Sequence, residues 1–161
     1  MIGMRGIEIR RATPEDSNAI ERLRIDAMRR NEIFPGPASL MASLRSGSNQ
    51  PNSMVFLAEK EGKLVGLRSV HNLNTDSPYF RSLFVLESER HSGVGTALVR
   101  HVLGEVFSLG HVKKVSGKIL EEDELRLAKA RAHYESMGFT VEPSGEFRMS
   151  REAWAKASGK A

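Results

Sequence analysis

The sequence predicts a mixed α/β fold, a single sheet with helices on its faces, and three observations lead there. Some short segments alternate apolar and polar residues with the period of a strand. Others repeat apolar residues at helical spacing. The two kinds interleave in the order strand, helices, three strands, helix, strand, helix, strands.

Each element has its own signal. Ile7-Glu8-Ile9-Arg10 alternates like a half-buried strand. Thr13-Pro14-Glu15-Asp16 then opens a helix, with threonine as N-cap, proline in the first turn and acids at the positive end. Ile20, Leu23 and Ala27 form its apolar stripe. A second short helix is expected over Ala38–Arg45, followed by a polar loop from Gly47 to Asn52. Met54–Glu59 and Lys63–Val70 read as strands joined through Glu61-Gly62, a hairpin signal. Phe80–Leu86 is a third apolar run of strand length. Val94, Leu98, Val102 and Val106 recur at helical spacing, and Val112–Ile119 reads as another strand. Leu127, Ala130, Tyr134 and Met137 mark a further helix that Gly138 is placed to end. Phe139–Val141 and Glu146–Met149 are closing strands, and the Ser158–Ala161 tail is expected to fray.

Composition narrows the chemistry. The 161 residues suit one domain over 1–161, large enough to bury a core without staples. No cysteine is present, which excludes disulfides, thiolate metal sites and a cysteine nucleophile. No apolar run is long enough to span a membrane and the start lacks a signal-peptide pattern, so the expectation is a cytoplasmic protein. The net charge of +4 serves solubility or an attraction for anions. The basic residues are scattered without interleaved aromatics, which gives nucleic-acid binding little support. His71, His91, His101, His111 and His133 lack metal-ligand spacing. The serine-hydrolase elbow G-x-S-x-G does not occur.

The informative stretch runs from Leu83 to Leu98. A buried strand leads into a loop with two glycines, which opens directly into an apolar-striped helix. Amides at a helix start have no intrahelical partner and carry partial positive charge, so they form an anion site. Gly93 and Gly95 let the chain turn and let a phosphate approach the backbone, and Arg90 adds a full charge beside it. The dinucleotide fingerprint fails because its third glycine position is Leu98 and Lys113-Lys114 stand where an acid is needed. A P-loop fails for lack of Gly-Lys-Ser/Thr.

What remains, Arg90-x-x-Gly93-x-Gly95, resembles the acyl-CoA-binding signature Gln/Arg-x-x-Gly-x-Gly/Ala of the GNAT superfamily of N-acetyltransferases. A second segment, Ala130-x-x-x-Tyr134-x-x-x-Gly138-Phe139, resembles that family's A-x-x-x-Y-x-x-x-G-F about 40 residues later. The order of elements is similar along nearly the whole chain. The resemblance implies a central, mostly antiparallel, twisted sheet flanked by helices on both faces. It implies acetyl-CoA as co-substrate, a small-molecule or peptide amine as acceptor, and direct attack in a ternary complex. Backbone groups of Leu83, Phe84 and Val85 would pair with the pantetheine arm. Arg90 and the amides of His91, Ser92, Gly93, Val94, Gly95 and Thr96 would hold the pyrophosphate. Tyr134 would be the general acid for a departing thiolate of pKa about 8.5, and Glu122 the base for an ammonium near 10.4.

Other readings stand beside these. The loop also reads as a plain strand-to-helix turn, Tyr134 as a packing aromatic, and Glu121-Glu122-Asp123-Glu124 as a solvated stretch that favours the next helix start. Leu127 stands where the family often carries a cofactor-contacting asparagine. A non-catalytic acyl-CoA-binding module and a basic nucleic-acid-binding domain remain rivals, and a homodimer stays open. The acceptor would be recognised by the segments Ile33–Asn52 and His71–Tyr79.

Overall fold

The computed structural model describes residues 6–29, 52–119, 121 and 123–159. The helix expected over Ala38–Arg45, the loop before Asn52, the very end of the tail and Glu122 lie outside the described residues.

Strand β1 spans Ile7–Arg11. Its Arg10 donates to the Asp16 carboxylate at 2.7 Å and also pairs with Glu59. The first turn after Thr13 differs from expectation, being a 3-10 turn over Pro14–Asp16 before α1 begins at Ser17–Arg29. The cause is local: Asp16 turns its carboxylate back to accept the Thr13 backbone N–H at 2.8 Å, which tightens that turn. The expected stripe Ile20, Leu23 and Ala27 is buried.

Strands β2 (Ser53–Lys60) and β3 (Lys63–His71) form the expected hairpin. Glu61 (φ 54°) and Gly62 (φ 76°) are both left-handed, as a two-residue turn matched to strand twist requires. Strand β4 is Tyr79–Val85, β5 Lys114–Lys118, β6 Thr140–Val141 and β7 Glu146–Ser150. They make a seven-stranded sheet in the order β1-β2-β3-β4-β5-β7-β6. Every pairing is antiparallel except β4 with β5. Strand β5 is shorter than expected because its flanks bond elsewhere: Lys113 N–H to the Asp76 carbonyl at 2.7 Å and Ile119 N–H to the Gly145 carbonyl at 2.9 Å.

Six consecutive residues of β3, Val65–Val70, are buried, the pattern of a strand covered on both faces. Side chains alternate, so Gly66, Arg68 and Val70 share one face. Helix α2 (Val94–Phe107) covers that face. A Cβ on Gly66 would lie 3.0 Å from Val94 Cγ1 and 3.3 Å from Leu98 Cδ1, so the glycine sets how closely the helix start approaches the sheet. Helix α3 (Glu124–Ser136) packs on the same face through Tyr134, its one buried residue. Leu127 and Ala130, expected in that stripe, are only half-buried.

A further helix, α4 (Arg151–Ala157), follows β7 where the sequence pattern suggested no element. Its signals were short-range: the Ser150 hydroxyl accepts the Ala153 N–H at 3.0 Å, Glu152 lies in the first turn and Lys156 in the last. Trp154 stacks on Phe107 with ring centroids 5.1 Å apart. Arg151 donates to the carbonyls of Phe107, Leu109 and Val112 at 2.8–2.9 Å, tying the end of α2 and the loop that follows it to α4.

Gly117 of β5 has no room for a side chain, since an added Cβ would sit 2.3 Å from Phe147 Cζ. The Phe147 ring cannot step aside, because it is wedged among Phe80, Phe139 and Tyr134. Gly117→Ala should therefore cost about 1–3 kcal/mol as an overpacked core. Urea denaturation checks this, and a loss under about 0.5 kcal/mol, the usual range for surface changes, would show that the ring is not pinned.

Candidate functional site

Strands β4 and β5 pair only at Tyr79 with Ser116 and Phe80 with Gly117. Both strands run on beyond these pairs, so they part and leave a gap between them. An extra residue in β4 accompanies the parting: Arg68 faces Leu83 and Val70 faces Phe80, which leaves residues 81 and 82 opposite the single residue Ser69. Such a bulge bends a strand and increases its twist.

The gap exposes one edge of β4. Leu86 N–H bonds to the Val65 carbonyl on β3 at 2.9 Å. Backbone groups alternate in an antiparallel ladder, so Phe84 also turns to β3 while Leu83 and Val85 face the gap. The Val85 carbonyl accepts from Arg90 Nε at 3.1 Å, which ties the following loop back onto this edge.

That loop ends at the start of α2. His91 (φ 65°) and Gly93 (φ 95°) are left-handed, and Gly93 caps the helix without any side-chain hydrogen bond. The first intrahelical bond runs from Ala97 N–H to the Gly93 carbonyl at 2.9 Å. The amides of Val94, Gly95 and Thr96 precede it and are donors for which the helix itself provides no partner. A Cβ on Gly95 would meet nothing within 4 Å. Packing among the described residues thus gives no reason for glycine there, and the space beside it is open to an anion. Thr96 Oγ1 lies 3.0 Å from His133 Nε2 of α3, so α3 reaches the same helix end.

Tyr134 crosses the mouth of the gap. Its ring stacks on Phe147 at 4.4 Å, and Phe147 lies on Gly117, where β5 leaves β4. Its hydroxyl reaches β3, where Arg68 Nη1 donates to it at 2.9 Å. Arg68 is only 3% exposed, and its guanidinium sits 4.8 Å from the Phe80 centroid and 5.9 Å from that of Phe147. Arginine has no acceptor. The phenol oxygen therefore accepts, and its own proton stays free to be given elsewhere. Arg68 Nε is buried with no partner among the described residues.

On the other face of the sheet a cavity of about 460 Å³ opens beside the same point, lined by Asn52, Ser53, His71, Tyr79, Arg81 and Lys118 among others. His71 and Tyr79 alternate with Val70 and Phe80 and so point away from α2 and α3. Burial, and secondarily the charge of Arg81, hold His71 below its ordinary value, and its Nε2 lies 3.2 Å from Ser69 Oγ.

The fold thus brings together Leu83, Val85, Arg90–Thr96 and Tyr134, residues from separate parts of the sequence. Phe84 flanks them, but its main chain serves β3. Glu122 lies outside the described residues. Its neighbours serve the helix start: Asp123 accepts the Arg126 N–H at 2.9 Å, and Glu121 accepts the Asp123 N–H at 3.1 Å. Leu127 packs by Gly145, whose added Cβ would lie 3.3 Å from it. Sequence reasoning missed Arg68 and His133. The signal for Arg68 was a lone cation inside the apolar run Leu64–Val70. His133 directly precedes Tyr134, and nothing local marked it.

Residues 51–141 match the family model described as an acetyltransferase (GNAT) domain. Solved structures are similar in fold. A chimera of the Vibrio cholerae spermidine N-acetyltransferase SpeG and hSSAT aligns with TM-score 0.69 at 15% identity, covering 93% of this chain and 98% of that one. The Thermoplasma acidophilum PaiA N-acetyltransferase, solved with coenzyme A, aligns with TM-score 0.67 at 13% identity over 89% and 98%. A GNAT-family acetyltransferase from Staphylococcus aureus Mu50 aligns with TM-score 0.68 at 13% identity over 89% and 98%. No curated protein sequence matches the chain.

The depressed His71 makes a testable statement about pH. Below 6.5 the unfolded chain takes up the proton before the folded one does. Stability from neutral His71 is therefore complete above that value and declines as pH falls from there to the folded pKa. Histidine proton NMR should show His71 titrating below 6.5, and Arg81→Gln should raise it only partway, because burial is the larger cause. A titration at or above 6.5 in the folded protein would contradict burial as the governing influence.

Proposed function

The chain belongs to the acetyltransferase (GNAT) family, and from that premise we propose that it transfers an acetyl group from acetyl-CoA to a primary amine, with both held at once. One observation carries the reading: the gap between β4 and β5 has a free helix start at one end and the Tyr134 hydroxyl at its mouth. An extended arm with amides can pair with a free strand edge, and Leu83 and Val85 supply that edge. A pyrophosphate suits the amides of Val94, Gly95 and Thr96, with Arg90, His91, Ser92 and Gly93 shaping the approach. The Val85 carbonyl keeps a second lone pair beyond its bond from Arg90.

Bound acetyl-CoA would supply a thioester whose acyl group passes to the amine. The chain's residues handle the protons. Tyr134 Oη, held by Arg68, keeps its proton available for an anion that develops in the gap, and the charge left on the oxygen faces the guanidinium 2.9 Å away. Glu122, in the acidic stretch after β5, is the proposed base for the amine. The cavity on the opposite face gives the amine its own entrance, which favours direct attack over an enzyme-bound intermediate. Two of the similar structures carry names of N-acetyltransferases, one of them named for spermidine, and the amine chemistry proposed here is of that general kind. The proposed setting is the cytoplasm; among the described residues no helix is long and apolar enough to cross a membrane.

The pyrophosphate site is tested with Gly95→Glu. The new side chain enters space that is open among the described residues, so circular dichroism should show the fold intact, while a carboxylate stands where the phosphates would lie. Acetyl-CoA affinity by calorimetry should fall by about tenfold or more, the equivalent of about 1.4 kcal/mol. Unchanged affinity would place the phosphates elsewhere.

Tyr134→Phe keeps the ring on Phe147 and removes only the hydroxyl. Under conditions where chemistry limits turnover, kcat and kcat/KM should fall together by about 10²–10⁴ with acetyl-CoA affinity preserved. A variant within about threefold of the parent would remove Tyr134 from proton transfer and leave it a packing residue. Binding of acetyl-CoA without turnover of any amine would make the protein an acyl-CoA-binding module instead.

A further inference from the structure

We propose that the cavity opposite Tyr134 takes an amine that also carries a carboxylate, with Arg81 and Lys118 holding the carboxylate while the amino end reaches the gap. The amino half of this statement rests on the transferase reading above; the carboxylate half rests on the cavity.

The register places the two cations. Tyr79 pairs with Ser116 and Phe80 with Gly117, after which the strands part. Arg81 and Lys118 are the next residue on each strand, so they stand one on either side of the mouth. Both line the cavity. Its other lining residues include neutral hydrogen-bonding groups, Asn52, Ser53, Asn72 and the Tyr79 hydroxyl, and among the described residues no lining residue is acidic. A second ammonium on the acceptor would meet two like charges and, among the described residues, no counter-charge. A carboxylate would meet an arginine fork able to bind both its oxygens, and a lysine across the opening. Arg81 and Lys118 are both exposed at this opening, and the charge of Arg81 reaches His71, which lines the same cavity. The volume of about 460 Å³ suits a small molecule rather than a folded partner.

Three probes of equal chain length separate charge from size: δ-aminovalerate, cadaverine and n-pentylamine. Each is titrated by calorimetry into the protein loaded with coenzyme A, and each is assayed separately for acetylation from acetyl-CoA by mass spectrometry. At low salt, δ-aminovalerate should bind about tenfold or more tightly than cadaverine, and show a similar advantage in kcat/KM. The preference should shrink as salt screens the exposed pair. Arg81→Gln should weaken δ-aminovalerate by about tenfold and leave acetyl-CoA affinity alone, and Lys118→Gln should move it in the same direction. Circular dichroism confirms that both variants fold. The proposal is overturned if cadaverine binds as well as δ-aminovalerate, if none of the probes binds, or if both folded variants stay within about threefold of the parent. Binding of δ-aminovalerate that depends on Arg81, without acetylation of any probe, would support the site and defeat the transferase reading. Acetylation that favours cadaverine would do the reverse.

Discussion

The parting of β4 and β5 is the constraint on which the rest of the site depends. Two parallel strands that stayed in register would satisfy each other's backbone groups and close the sheet. Here pairing stops after Phe80 and Gly117. On one side the extra residue in β4 bends the strand away. On the other, β5 is held by β7 over its whole length, and the Phe147 ring of β7 occupies the space above Gly117. The β4 edge at Leu83 and Val85 is left turned toward the gap, and Arg90 takes up one of its carbonyls.

Burying Arg68 is costly on its own terms. A guanidinium taken out of water loses several kcal/mol of hydration unless its surroundings return it. Aromatic faces of Phe80 and Phe147 return some, and the Tyr134 oxygen returns one charge-assisted hydrogen bond. Nε still lacks a partner among the described residues. A methionine or leucine would pack on β3 without that cost. What the arginine does that they could not is fix the orientation of a hydroxyl carried in from a helix 66 positions away in the chain.

The parts of this arrangement that are written locally could be read from sequence. Gly93, Gly95 and the stripe Val94, Leu98, Val102 and Val106 lie within one strand-to-helix passage, and the physics of a helix start needs nothing from afar. The Glu61-Gly62 hairpin is equally self-contained. Tyr134 was identified through its motif, yet its hydrogen-bond partner was not, because Arg68 meets it only after β3, β4, β5 and β7 have assembled. Phe84 was grouped with Leu83 and Val85 because sequence carries no parity; only the register with β3 shows which of the three turn outward. Helix α4 escaped for another reason. It is short, none of its residues is fully buried, and its main attachment is to carbonyls at the end of α2, a relation that no periodicity reveals.

That attachment has a consequence for the order in which the protein can be built. The carbonyls of Phe107, Leu109 and Val112 receive their donors from Arg151, some 39–44 residues later. At a synthesis rate of about 5–20 residues per second, α2 emerges roughly 2–9 s before the residue that closes its end. During that interval the carbonyl of Phe107, the last residue of the helix bearing the phosphate-binding turn, lacks the donor that Arg151 later supplies. A nascent chain can therefore shape the first turn of α2 early, but the other end of that helix is finished only when α4 docks.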